Sequence, residues 1–290
     1  MDTIVSISIY DGNCDKKAVI DECFNMIEKY DDMFSAYKTD SEIYAINIAA
    51  GEYVEISDET IDLIKTGIDY SKLSGGVFDI TGGALIDLWN ITGDNAENEI
   101  PTDVAINTAK GTVGYDYIKI DGNRVCLNNP KTKINLGGIA KGYVADRLGE
   151  YMRNAGVKSA MINLGGNIVT IGDKGGQLFN IGIPKPFDVN NICHSVKVKD
   201  KSVVTSGNYQ RYFEKDGVIY HHILDYDTGY PASAGLSSVS IVCDSSVKAD
   251  ALSTTCFILG YEESVELLSN MDEDIEAVFI LDNGEVISWN

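Results

Sequence analysis

What limits the fold of this chain most is a pair of glycine-bearing turns, Asp121-Gly122-Asn123 and Asp282-Asn283-Gly284, each set between two short apolar runs. Such turns supply the left-handed backbone that a tight hairpin needs, so the flanking runs pair antiparallel. This predicts strands over 116–120 and 124–127, and over 275–281 and 285–288. Further strand candidates lie at 159–163, 167–171, 194–199, 218–224 and 237–243, and Val5, Ile7 and Ile9 share one face of a first strand. Helical spacing runs over 15–32, through Ala18, Cys23, Met26 and Ile27, and over 57–74, opened by Ser57 and closed by Gly75-Gly76. Two more helices are expected at 139–154 and near 250–259. Hairpin-paired strands beside scattered helices make an α+β chain, not a doubly wound parallel sheet. The polar stretch 92–100 reads as a surface excursion within one continuous module spanning 1–290.

Charge narrows the partners. The chain carries 23 Lys and Arg against 44 Asp and Glu, a formal charge of −21. Long nucleic acid and anionic lipid both need clustered basic residues, which this sequence lacks. A single phosphate-bearing molecule needs only a local patch. Hydrophobic residues make up 44%, enough for a core, and no apolar run reaches the roughly 18 residues of a membrane span. The start, MDTIVSISIY, lacks the basic region and unbroken apolar core of a secretory signal, as in a cytoplasmic protein or a mature fragment. Six cysteines at 14, 23, 126, 193, 243 and 256 show no C-x-x-C spacing and read as buried small hydrophobes.

Four clusters carry chemistry. The pentapeptide Ile134-Asn135-Leu136-Gly137-Gly138 recurs unchanged as Ile162 to Gly166, which reads either as two strands ending in glycine turns or as two places where backbone approaches a ligand. After the first copy a helix begins with Lys141 in its first turn, and helix-start N–H groups beside a lysine suit a phosphate or pyrophosphate. The pattern is neither G-x-G-x-x-G nor a P-loop. In KADALSTTCFILG (248–260), Asp250 and Thr254 stand one turn apart, with Leu252, Cys256 and Leu259 on the opposite, core-facing side. The carboxylate and hydroxyl are hard ligands suited to Mg²⁺; alternatively Asp250 caps its own helix and Thr254 bonds back to a carbonyl. His221 and His222 end a strand before a turn containing Asp225, Asp227, Thr228 and Gly229, and only one of the two can face a given site. A histidine there is either a general base or a hydrogen-bonded structural residue. Finally, Phe78 and Asp79 lie between glycine pairs, where an aromatic ring and an acid suit a flat ligand and its polar edge; Tyr37 is a similar candidate.

The ordered set FSAYKTDSEIYAIN, SGGVFDITGGALIDLW, INLGGIAKGYVADRL, MINLGGNIV, VVTSGNYQRYF, HHILDYDTGYP and KADALSTTCFILG resembles the ApbE family of FAD:protein FMN transferases, over nearly the whole chain. The resemblance implies a T-fold-like architecture of largely antiparallel sheets flanked by helices, with FAD as substrate and Mg²⁺ at its pyrophosphate. It implies transfer of FMN to a Thr or Ser hydroxyl of an acceptor subunit in a redox complex, with release of AMP. Metal ligands then fall on Asp250, Thr254 and a carbonyl near Gly138, with Ser253 in the metal shell. FAD contacts fall on Met1, Tyr37, Val77, Phe78, Asp79, Asn135, Lys141 and Leu224. His222 is expected to accept the hydroxyl proton, with Asp250 as second choice through a metal-bound water. Family members usually carry a lipoprotein or secretory signal upstream, which implies an extracytoplasmic setting. Tyr226 stands where the family has proline, and Asp2 where it has glycine. Two rival readings are an Mg²⁺-dependent FAD pyrophosphatase and a non-catalytic FAD-binding protein.

Overall fold

The computed structural model describes residues 3–91 and 98–290. Met1 and residues 92–97 of the expected surface excursion lie outside the described residues. The chain runs β1 (Val5–Gly12), α1 (Lys16–Phe34), α2 (Glu42–Ile48), β2 (Val54–Glu55), α3 (Asp58–Leu73), α4 (Gly83–Trp89) and α5 (Asp103–Lys110). It continues through β3 (Ile118–Asp121), β4 (Arg124–Leu127), α6 (Ala140–Asn154), β5 (Val157–Leu164), β6 (Asn167–Ile171), β7 (Phe179–Lys185) and β8 (Asp188–Val198). The last elements are β9 (Ser202–Gly207), β10 (Tyr212–Lys215), β11 (Val218–His221), β12 (Leu236–Cys243), α7 (Ser246–Leu259), α8 (Tyr261–Ser269), β13 (Glu276–Leu281) and β14 (Val286–Trp289).

Seven strands form one sheet in the order β1-β5-β6-β9-β12-β13-β14, and every neighbouring pair is antiparallel. Period-two alternation explains how both faces of its centre are covered. Val204, Ile241, Ala277 and Phe279 point to one side, under α7 and α8. Val203, Val242, Val278 and Ile280 point to the other, where Phe179, Ile181 and Ile183 of the β7–β8 hairpin cover them. All eight residues of β12 are accordingly buried, and each such aliphatic side chain contributes about 1.5–3 kcal/mol. Helix α6 lies on β5 and β6 with α1 outside it, joined by the Tyr30, Phe34 and Tyr143 rings.

Both diagnostic hairpins form: Asp121 pairs with Arg124 around Gly122 (φ +61°), and β13 pairs with β14 around Gly284 (φ +86°). Other boundaries shift. Helix α7 starts at Ser246 and not near 250, because Ser245 is its N-cap and accepts from the Lys248 N–H. The strand expected over 218–224 stops at His221. Residues 194–198 are the end of the longer β8, and Lys199 lies just beyond it. The pentapeptide copies differ: 162–164 end β5, whereas 134–136 form no strand and follow a single bridge from Lys133 to Gly82. No helix among the described residues is long and apolar enough to cross a membrane.

Candidate active site

Helix α6 opens on Ile139, which has no side chain able to cap it. Its first N–H groups need an acceptor from elsewhere, and Asp250 of α7 provides it. Asp250 Oδ2 accepts from the Gly142 N–H at 2.9 Å, and Oδ1 lies 3.5 Å from Lys141 Nζ. The ammonium also donates to the Gly137 carbonyl at 3.3 Å. A cation therefore sits between a carboxylate and a carbonyl, at the positive end of a helix. Asp250 is buried and does not cap its own helix, which corrects that reading of the sequence.

The two helices meet this closely because residue 142 is glycine: an added Cβ would lie 2.6 Å from Val247 Cα and run into the Ser246 carbonyl. Asp146 of α6 serves α7 in return, accepting from the Ser246 N–H at 2.7 Å, the Val247 N–H at 3.0 Å and the Ser245 hydroxyl at 2.9 Å. Burial pushes the Asp146 carboxyl above the usual carboxylate range, and these donors pull against it.

Thr254 follows Asp250 by one turn on the same face. Its hydroxyl is 3.2 Å from Ser206 Oγ at the end of β9, and Ser206 is 2.8 Å from Ser253 Oγ. Ser253 is fully buried and donates to the Asp250 carbonyl at 3.0 Å. Its hydroxyl braces Ser206 and the helix backbone. Ser206 lies inside the quoted VVTSGNYQRYF motif, yet nothing in the sequence showed that its strand ends beside Thr254.

The histidine pair divides as the strand geometry requires. His221 is buried; its Nε2–H donates to the Ala232 carbonyl at 3.0 Å and its Nδ1 accepts from the Ile223 N–H at 3.3 Å. His222 lies near Lys141, and its Nδ1–H donates to the Arg211 carbonyl at 3.3 Å. That bond fixes the tautomer and leaves Nε2 as the basic nitrogen. Burial, then the Arg211 guanidinium, His221 and Lys141, push the ring down to about 3, so it is neutral at physiological pH.

The expected FAD contacts fall into two groups. Tyr37 is exposed, donates to Asp87 Oδ1 at 3.2 Å, and Asp87 in turn pairs with Lys133 at 2.6 Å. Asp87, Lys133 and Asn135 line an open recess, and neither Asp87 nor Lys133 stood out in the sequence. Asn135 Oδ1 accepts from the Gly137 N–H at 2.9 Å, which links this recess to the Lys141 cluster. The side chains of Phe78, Asp79 and Leu224 are engaged within the fold. Phe78 is buried against Gly138, whose added Cβ would lie 2.9 Å from the ring. Asp79 spends its carboxylate on the Thr81 N–H and hydroxyl and on the Tyr115 N–H, at 2.7–2.8 Å. Leu224 packs with Leu85 and Trp89. Val77 is half-buried. Tyr226, in place of proline, leaves the turn intact: the Gly229 N–H reaches the Asp225 carbonyl at 2.7 Å, and Trp89 Nε1–H holds the Gly229 carbonyl at 2.8 Å.

No group of three or more His, Cys, Asp or Glu able to hold a metal occurs among the described residues. The donor set is one carboxylate, one hydroxyl and one carbonyl, with the Lys141 ammonium as stand-in cation between two of them. Mg²⁺ keeps most of its shell for water and phosphate, and such a sparse oxygen set fits it. The carbonyl held by Lys141 is that of Gly137, the residue before Gly138.

The model of the ApbE family matches residues 1–279. The FAD:protein FMN transferase of Klebsiella pneumoniae (strain 342) is 35% identical over 275 residues, covering 93% of this chain and 84% of that one. That of Treponema pallidum (strain Nichols) is 35% identical over 288 residues, covering 93% and 78%. Among solved structures, the ApbE protein of Thermotoga maritima superposes with a TM-score of 0.88 at 33% identity, covering 98% of this chain and 92% of that one. The flavin transferase ApbE of Vibrio cholerae gives 0.88 at 28% identity, covering 100% and 94%. With the antiparallel sheet, the helices upon it and the ordered motifs all in agreement, the chain belongs to the ApbE family.

Proposed function

We propose that this protein transfers the FMN part of FAD to a threonine or serine hydroxyl of an acceptor redox subunit, with release of AMP and with Mg²⁺ as cofactor. One observation carries the reading: Lys141, the Gly142 N–H, Asp250, Thr254 and His222 converge at the start of α6. The relatives named FAD:protein FMN transferase support it.

Asp250, Thr254 and the Gly137 carbonyl would hold Mg²⁺, which supplies charge neutralisation at a pyrophosphate. Lys141 moves from those oxygens to a phosphate oxygen, as a lysine at a helix start is placed to do. The acceptor oxygen attacks the FMN phosphorus while the bond to the bridging oxygen breaks, and AMP leaves with that oxygen. His222 Nε2 takes the hydroxyl proton. Burial first, and then the neighbouring cations Arg211 and Lys141, lower its basicity; arriving phosphates would offset the cationic part.

The test incubates the protein with FAD, Mg²⁺ and an acceptor domain presenting a threonine, then follows flavin fluorescence on a denaturing gel. A fluorescent acceptor band with AMP in solution is the expected result. Free FMN with AMP identifies a hydrolase instead, and unchanged FAD a binding protein.

A further inference from the structure

The helical threonines Thr66, Thr108 and Thr255 return their hydroxyls to the carbonyl four residues back, at 2.7–2.8 Å. This is the ordinary way for a threonine inside a helix to satisfy its own O–H. Thr254 does otherwise: its hydroxyl is 3.2 Å from Ser206 Oγ, across on β9. The difference begins one residue earlier. Ser253 donates to the Asp250 carbonyl at 3.0 Å and so occupies the acceptor that Thr254 would use.

The direction of each bond that follows is fixed, because a hydroxyl has one proton to give and a carbonyl none. The Ser253 proton goes to the Asp250 carbonyl, so towards Ser206, at 2.8 Å, its oxygen can only accept. Ser206 therefore spends its proton on Ser253, and towards Thr254 it too can only accept. Thr254 in turn donates to Ser206. Only lone pairs are then left on the Thr254 oxygen for its open side, since Thr254 is half-buried whereas Ser253 is fully buried. That side is the helix face it shares with Asp250, whose carboxylate meets Lys141.

We propose that Ser253 and Ser206 are positioning residues that, through this one-way relay of hydroxyls, hold Thr254 as a pure acceptor for Mg²⁺. This rests on the Mg²⁺-dependent transferase reading. A hydroxyl that ligates a metal must point its proton elsewhere, and a threonine free to rotate directs it at the metal part of the time. The relay removes that freedom before the metal arrives, as outer partners do for metal ligands in general. Fully buried, Ser253 acts through two other side chains.

The test uses the full chain loaded with FAD, without acceptor, and titrates Mg²⁺ by calorimetry. Ser206→Ala takes away the acceptor of the Thr254 proton. Ser253→Ala frees the Asp250 carbonyl, to which Thr254 then returns its hydroxyl as the other threonines do. Each should bind Mg²⁺ about tenfold more weakly than wild type, with FAD affinity in EDTA unchanged. Ser206→Thr keeps the hydroxyl and should restore Mg²⁺ affinity. Because Ser253 acts only through Ser206, the double alanine variant should be no weaker than Ser206→Ala alone. Additive losses, wild-type Mg²⁺ affinity in either alanine variant, or a matching fall in FAD affinity overturns the proposal. If Ser253→Ala does not fold, Ser206→Ala against Ser206→Thr decides alone, and equal Mg²⁺ affinity in these two overturns it. A wild type that binds FAD but takes up no Mg²⁺ refutes the Mg²⁺-dependent reading, and the proposal with it.

Discussion

Asp146 and Asp250 cap each other's helices: the α6 residue accepts from the first N–H groups of α7, and the α7 residue accepts from the first turn of α6. The exchange ties the site to the stability of the fold, because the carboxylate facing Lys141 is also the one that starts the helix carrying Lys141.

The two halves of this exchange separate by substitution. Asp146→Ala strands two N–H groups and a hydroxyl and is expected to cost about 2–3 kcal/mol in denaturant unfolding, with flavin transfer by the folded fraction kept. Asp250→Asn keeps an oxygen for the Gly142 N–H and should cost about 1 kcal/mol or less, while transfer falls about a hundredfold or more. Equal stability losses would show that the amide oxygen does not replace the Asp250 carboxylate as the cap of α6.

Gly142→Ala forces a Cβ against Ser246 and Val247, which are backbone and cannot swing aside. The helices must part, at a cost of about 2–3 kcal/mol. Because Asp250 loses its N–H partner at the same time, FAD affinity should drop with stability. A chemical melt and an FAD titration on the same sample check both.

Lys141→Met removes the cation that sits on the Asp250 and Gly137 oxygens. Without FAD, Mg²⁺ affinity measured by calorimetry should rise a few-fold, since the metal no longer competes with an ammonium. FAD affinity should fall about tenfold with the loss of a charged donor. A change of both in the same direction would contradict the stand-in role.

Acid sensitivity follows from His222. Its folded value is about 3 against an ordinary 6.5, so between those limits the unfolded chain binds more protons. This contribution to stability is present above about pH 6.5 and is lost as pH falls through the window. Asp146 and Asp79 have raised folded values, so their contributions run the other way and are lost as pH rises above the ordinary carboxylate range. Tm should therefore fall on acidification from pH 7 to 5, and less steeply in His222→Gln. In an NMR titration the His222 ring should not titrate above pH 5 alone, and should shift towards neutrality when FAD or ADP is bound.

The hairpins around Gly122 and Gly284, and the helix after Ser57, were legible because local backbone chemistry decides them. Strands β7 and β9 were not. Phe179–Lys185 is broken by Gly182 and Pro184, and Ser202–Gly207 is half hydroxyls and glycine, so both owe their form to neighbours in the sheet. The site divides the same way. Lys141, Asp250 and Thr254 could be singled out as residues on helices. Ser206, Asp146 and Asp87 could not, because each acts across more than 40 positions of sequence. Phe78 and Asp79 looked presented on a loop, yet tertiary packing turns both inward.

The two copies of Ile-Asn-Leu-Gly-Gly differ in whether their glycines are replaceable. In the first, residues 137 and 138 have no left-handed backbone among the described angles, and glycine is required by the Asn135 and Phe78 side chains pressed against it. A smaller neighbour would relieve that demand, so alanine at 138 is rescuable by trimming Phe78. In the second, Gly165 and Gly166 sit at φ +59° and +97°, and no second change elsewhere can lift a restriction that belongs to the backbone itself. Identical words in this chain thus have different evolutionary freedom: one glycine turn can drift together with its partner, and the other is held alone.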